Sequence, residues 1–145
     1  MEGTARKDRE NKRAPKAKRG RPRAPSWLND DALKMWDEMS ELLDGMQVLT
    51  RADGKVLAVM CDQWARWRDM QDWLDEEGST YTTVNSQGVE MHRPRPEAAQ
   101  AGACLDRFIR LSERFGLTPV DRERAQRRAD GDDSEIDKFK RKHAG

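Results

Sequence analysis

The sequence predicts a mainly α-helical protein: a helical hairpin with a long central helix, a short extended or β-hairpin segment, and C-terminal helices. Three observations predict it. Two stretches on either side of Gly45 carry apolar residues at helical spacing, each opening on a capping residue. A run rich in β-branched residues at 79–84 is followed by the turn formers Asn85-Ser86-Gln87-Gly88. Charged residues are 38% of the 145 residues against 35% apolar, so one copy has little core for its surface, and part of its apolar surface is expected to close against other copies.

In chain order, residues 1–25 come first, with ten Lys/Arg against three Asp/Glu, three prolines, no aromatic residue and no aliphatic one larger than alanine beyond Met1. Such a segment cannot bury enough to offset its ordering entropy and is expected to be a disordered basic arm. The first helix is predicted to start after Asn29 as N-cap, with Asp30 and Asp31 facing the positive end of the helix dipole. Its apolar positions are Leu33, Trp36, Met39, Leu42 and Leu43, and Gly45 is its expected stop.

Thr50-Arg51-Ala52-Asp53 resembles a capping box and opens the longest periodic stretch, running to about Glu77, a helix roughly 40 Å long at about 1.5 Å per residue. Val56, Leu57, Val59, Met60, Trp64, Trp67, Met70 and Leu74 fall in one stripe of roughly 160°, wide enough for more than one neighbour. Trp73 falls outside the stripe and is the candidate oligomer-interface residue. Gly78 ends this helix, and residues 79–92 are either a hairpin or an extended arm. A third helix, from about Glu97 to Phe115, presents Ala98, Ala101, Leu105, Phe108, Ile109 and Phe115, and Gly116 ends it. Thr118, Pro119 and Asp121 then open a short further helix that frays around residues 130–133. The organisation expected is a basic arm (1–25), a helical oligomerisation domain (26–129) and a charged C-terminal tail (130–145).

The net charge of +1 conceals segregation: residues 1–25 carry +7, residues 26–120 carry −7 and residues 121–145 carry +1. No phosphate-cradling glycine loop, His-Glu-x-x-His or nucleophile elbow is present. His92 and His143 are the two histidines, and Cys61 and Cys104 stand 43 positions apart without further ligands nearby, reading as buried thiols. No enzymatic activity, cofactor or metal is therefore expected, and a carboxylate-based nuclease is a remote alternative. No apolar run approaches the ~20 residues of a membrane span, and the start is charged rather than apolar, so a soluble protein of the cytoplasm, with no membrane partner, is expected.

The candidate nucleic-acid contacts are Lys12, Arg13, Lys16, Lys18, Arg19, Arg21 and Arg23 in the arm and Arg107, Arg110 and Arg114 on one face of the third helix. Cations on a flexible arm gain from counterion release on a phosphate backbone. Arg19-Gly20-Arg21-Pro22 also resembles an AT-hook, in which arginines lie along a narrow minor groove. The bland alternative for the arm is a solubilising tail, and for the helix stripe a solvated face paired with Asp106 or Glu113. Trp36, Trp64 and Trp67 read as core.

The order of these features resembles one family of tailed-phage terminase small subunits over about residues 20–125. Gly20-Arg21-Pro22 precedes a Trp-containing helix, Leu49-Thr50-Arg51-Ala52-Asp53 opens a long helix, and a final helix ends Arg114-Phe115-Gly116-Leu117-Thr118-Pro119, with Arg122 and Arg124 following. The chain departs from the pattern at Arg93-Pro94-Arg95-Pro96-Glu97, where relatives more often carry a His-Pro pair; here Arg93 separates His92 from Pro94, which bears on the linker geometry. The resemblance implies a ring-forming homo-oligomer that acts in the host cytoplasm. It would recognise double-stranded viral DNA and deliver it to the terminase large subunit, the partner holding the ATPase and nuclease, without chemistry of its own. The competing reading is an AT-hook-type dimeric DNA-binding regulator, transcriptional or architectural.

Overall fold

The computed structural model describes residues 18–123. Three helices and a two-stranded antiparallel sheet make up the named elements: α1 (Asp30–Gly45), α2 (Gly54–Glu77), β1 (Thr80–Val84), β2 (Glu90–Pro94) and α3 (Pro96–Arg114). The fold is thus mainly helical with a long central helix, as the sequence predicts. Its arm at 1–17, the fraying region and the tail at 130–145 lie outside the described residues.

α1 begins where the cap chemistry places it: Asn29 is extended and its side-chain oxygen accepts from Ala32 N at 2.8 Å. Its end departs from expectation. Gly45 stays inside the helix, and Gln47, at φ 57°, is the residue that takes the left-handed conformation. Hydrogen bonds from Met46 N to Leu42 O and from Val48 N to Leu43 O satisfy the last carbonyls there. The buried face is also rotated from the predicted one. Ala32, Met35, Trp36, Ser40 and Leu43 are buried, while Leu33 and Leu42 are exposed. The two small residues, Ala32 and Ser40, complete a stripe that apolar spacing alone does not reveal.

The capping box at Thr50 is present: Asp53 Oδ2 accepts from Thr50 N at 2.9 Å and from the Thr50 hydroxyl at 2.7 Å. The chain makes one 3-10 turn at Arg51–Asp53 before α2 proper. α2 is the central element, packed against both α1 and α3, whose apolar side chains share one core with it. Ala58, Cys61 and Ala65 are all fully buried, three small side chains in successive turns that let a neighbouring helix approach closely. Val56 and Val59, placed in the apolar stripe by the sequence, are exposed at 42% and 45%, because the covered arc is shifted toward these small residues.

α3 runs antiparallel to α2. Ser112 Oγ lies 3.7 Å from Met60 Sδ, Arg107 reaches Gln63 at 3.3 Å, and the Trp64 and Phe108 rings are 5.1 Å apart. Pro96 occupies the first turn of α3, where its missing N–H leaves no bond unmade. Gly116, at φ 71°, ends the element as predicted, while Ile109 is exposed rather than packed. Asp121 N then bonds the Thr118 hydroxyl at 3.3 Å, opening a helical turn over 119–123.

Residues 79–92, left between two alternatives by the sequence, form a hairpin within one chain, with Thr80 opposite Pro94 and Val84 opposite Glu90. Asn85 closes the turn, its side-chain oxygen accepting from Gln87 N and Val89 N, each at 2.9 Å. Arg95 fastens the hairpin to the helices. Its guanidinium sits 5.2 Å from the Trp73 ring centroid and 5.9 Å from that of Tyr81, and donates to the Glu77 carbonyl at 3.3 Å.

Candidate nucleic-acid interface

The basic segment does not stay free as far as Pro25. Residues 18–25 form a strap against the hairpin of α1 and α2. Gly20 N donates to Leu49 O at 3.4 Å and Arg51 N to Lys18 O at 3.2 Å, making an isolated antiparallel bridge between Arg19 and Thr50. Arg21 Nη2 donates to the buried Ser40 Oγ at 2.7 Å, and Ala24 and Leu28 pack against the core. The strap closes over Gly54: a Cβ at that position would stand 2.8 Å from Pro22 Cβ. Main-chain pairing and close approach to a glycine hold the strap, and neither needs the large side chains whose lack predicts disorder.

Docking of the strap brings cations together. Arg21 and Arg23, from the strap, and Arg51 and Lys55, from the 3-10 turn and the first turn of α2, line an open groove of about 720 Å³ with Pro22, Pro25, Ala52 and Gly54. No acidic side chain among the described residues lines it. The nearest carboxylate in sequence, Asp53, is occupied by Thr50. Arg51 and Lys55 were not among the residues singled out from the sequence. They lie about thirty positions from Arg21 and Arg23, and only the strap joins the two pairs; the capping box at Thr50 was legible, but marks a helix start and no ligand.

The predicted residues are distributed as follows. Lys12, Arg13 and Lys16 lie outside the described residues. Lys18, Arg19, Arg21 and Arg23 belong to the strap and are exposed, although Arg21 is tied to Ser40. Arg107, Arg110 and Arg114 form an exposed stripe on α3. Arg107 turns to Gln63 on α2, across a cleft that also contains Asp62 and Arg66. There Asp62 holds the Arg66 guanidinium at 2.8 Å and raises its pKa, so that pair is locally neutral. The stripe shares no lining residue with the groove. Trp73 is 38% exposed and Arg95 covers one face of its ring, so part of the surface that marks it as an interface candidate is used within its own chain.

Nothing in the described residues assembles three or more potential metal ligands. No described helix is long and apolar enough to cross a membrane. Burial pushes the Cys61 thiol up to about 12, which keeps it protonated at neutral pH.

No curated protein and no solved structure matches the chain. A profile of the phage terminase small-subunit family matches residues 32–132, from within α1 through α2, the hairpin and α3 to beyond the described helical turn at 119–123. That span is well over half of the chain and contains the capping box, the Gly116 stop and the Thr118–Asp121 cap on which the sequence resemblance rests. The chain belongs to the phage terminase small-subunit family.

Proposed function

We propose that this protein is the non-catalytic DNA-recognition subunit of a phage packaging terminase. In this reading, copies assemble into a ring in the host cytoplasm, bind double-stranded viral DNA, and present it to the large subunit that holds the ATPase and nuclease. The observation that supports it most is the segregation of charge. A +7 segment leads into a −7 body, and its last residues are anchored on that body.

Several copies of the 1–25 segment on one ring would act on the same duplex, so weak individual contacts gain from a high effective concentration. Arg107, Arg110 and Arg114 would supply a second phosphate-facing surface. The tail around Phe139 to Lys142 is the proposed contact for the large subunit, testable by asking whether a chain ending at Ala129 still captures that partner.

Two measurements test the reading. Light scattering coupled to size exclusion, at low and high salt, is expected to give an assembly well above a tetramer; a monomer or dimer at both salts removes the ring. Deleting residues 1–17, which keeps the strap, is expected to leave the assembly intact while weakening duplex binding and flattening its salt dependence. A dimer with a strong preference for A·T-rich duplex would favour the AT-hook regulator instead.

A further inference from the structure

We propose that the groove between the strap and the start of α2 is a binding site for the phosphate backbone of duplex DNA, and that Gly54 is the residue that allows it to assemble. This inference rests on the DNA-packaging reading and adds a site to it. Four cations from two segments meet there without an acidic neighbour, and among the described residues Arg23, Arg51 and Lys55 have no carboxylate partner. Elsewhere on the described surface Lys34, Arg66, Arg68 and Arg95 each stand within 4.0 Å of a carboxylate, and Arg93, Arg110 and Arg114 do not; the groove is distinguished by gathering four cations from two remote segments.

Like charges gathered in this way repel one another, which a fold tolerates where a polyanion is bound. The groove is open rather than enclosed, with Pro22, Pro25 and Ala52 between its cations; it suits a backbone that runs past it, contacted through charge without base readout. Duplex DNA is favoured over an acidic peptide because Arg21 and Arg23 continue directly into the basic segment, so groove and segment would follow one continuous backbone.

Gly54 sets the geometry. Its backbone is ordinary helix, at φ −54°, so alanine suits its conformation; the obstacle is Pro22, whose Cβ would lie 2.8 Å from the new methyl. Gly54→Ala therefore displaces the strap while removing no charge.

The test uses the full-length chain and a fluorescein-labelled 30-base-pair duplex of arbitrary sequence, with anisotropy read across a salt series. Arg51→Glu/Lys55→Glu is expected to weaken binding at least tenfold and to reduce the slope of log affinity against log salt by about two. Gly54→Ala is expected to weaken binding as well, and to speed tryptic cleavage after Arg19 and Arg23, whose next residues are Gly20 and Ala24. Both variants should keep the helical circular dichroism and the assembly mass of the parent. Unchanged affinity and slope in the double variant, with weakened binding on deletion of 1–17, would overturn the groove and leave the DNA reading standing. Failure of the parent chain to bind duplex would overturn both. Competition by polyglutamate as effective as by unlabelled duplex would overturn the assignment to DNA.

Discussion

The guanidinium of Arg95 lies over the indole of Trp73, 5.2 Å from the ring centroid, and in that position joins the end of α2, strand β1 and the start of α3. A two-stranded hairpin is marginally stable alone, and this stack, with the main-chain bond from Arg95 N to Ser79 O at 2.9 Å, ties β1 and β2 to the helices. Arg95 Nε is buried there without a hydrogen-bond partner, and the two ring contacts together with the Glu77 carbonyl and carboxylate at Nη2 compensate the partial desolvation of the guanidinium.

Arg95→Ala is expected to destabilise the protein by about 1 kcal/mol through the lost cation–π contacts, with a larger local effect on the hairpin. Hydrogen exchange at residues 80–94 should rise well before global unfolding. Arg95→Lys should recover little, since a compact ammonium cannot lie flat between two rings. Unchanged exchange in the alanine variant would show that the strands hold without the stack.

The helix caps give a second expectation. Asn29→Ala removes the acceptor of Ala32 N and should cost about 1 kcal/mol. Asp53→Ala removes a carboxylate that accepts from both the main chain and the hydroxyl of Thr50, at the hinge between α1 and α2. It should cost at least as much, roughly 1–2 kcal/mol, by chemical denaturation. A loss for Asp53→Ala well below that for Asn29→Ala would mean the 3-10 turn is held by other contacts.

Met60 is fully buried between α2 and α3, against Ser112. Met60→Ala is expected to lower stability by about 2–5 kcal/mol, the range for emptying a packed core position. Val59→Ala, one residue away but 45% exposed, should cost well under half of that in a protomer. A large loss at Val59 in the assembled protein would instead place that side chain at a contact between copies.

Alkaline stability should carry the signature of Cys61. Burial moves its thiol from the ordinary 9.0 to about 12, so above pH 9 the unfolded chain releases a proton that the folded chain retains. The contribution is whole below pH 9 and is lost as pH climbs toward 12. Thermal unfolding between pH 8.5 and 11 should show a steeper decline in the parent than in Cys61→Ala. Parallel declines would show that this thiol does not set the slope.

What the sequence made legible was mostly local. Asn29, Thr50 with Asp53, Asn85, Gly116 and Thr118 with Asp121 act over a few residues, and each forms the turn or cap expected of it. Burial was less legible. Ser40 is fully buried on α1 because Arg21, nineteen positions earlier, reaches it, and no periodicity in α1 carries that information. The strap itself was hidden because main-chain pairing with residues 49–51 and the gap over Gly54 replace apolar side chains. The α3 arginine stripe was visible from its spacing, whereas the groove required two remote pairs of cations to be brought together by tertiary contact.

The described chain begins beside Thr50, and α3, antiparallel to α2, ends level with the start of that same helix. The start of the described chain and the end of α3 therefore lie at one pole, and the β-hairpin, which follows the far end of α2, marks the other. The protomer is consequently a vector, with the strap, the groove cations and the end of α3 at its head and a two-stranded finger carrying exposed Tyr81, Val84 and Val89 at its tail. Copies set side by side in parallel would form a collar with two unlike rims, so an object approaching along its axis would meet different chemistry according to the direction of approach.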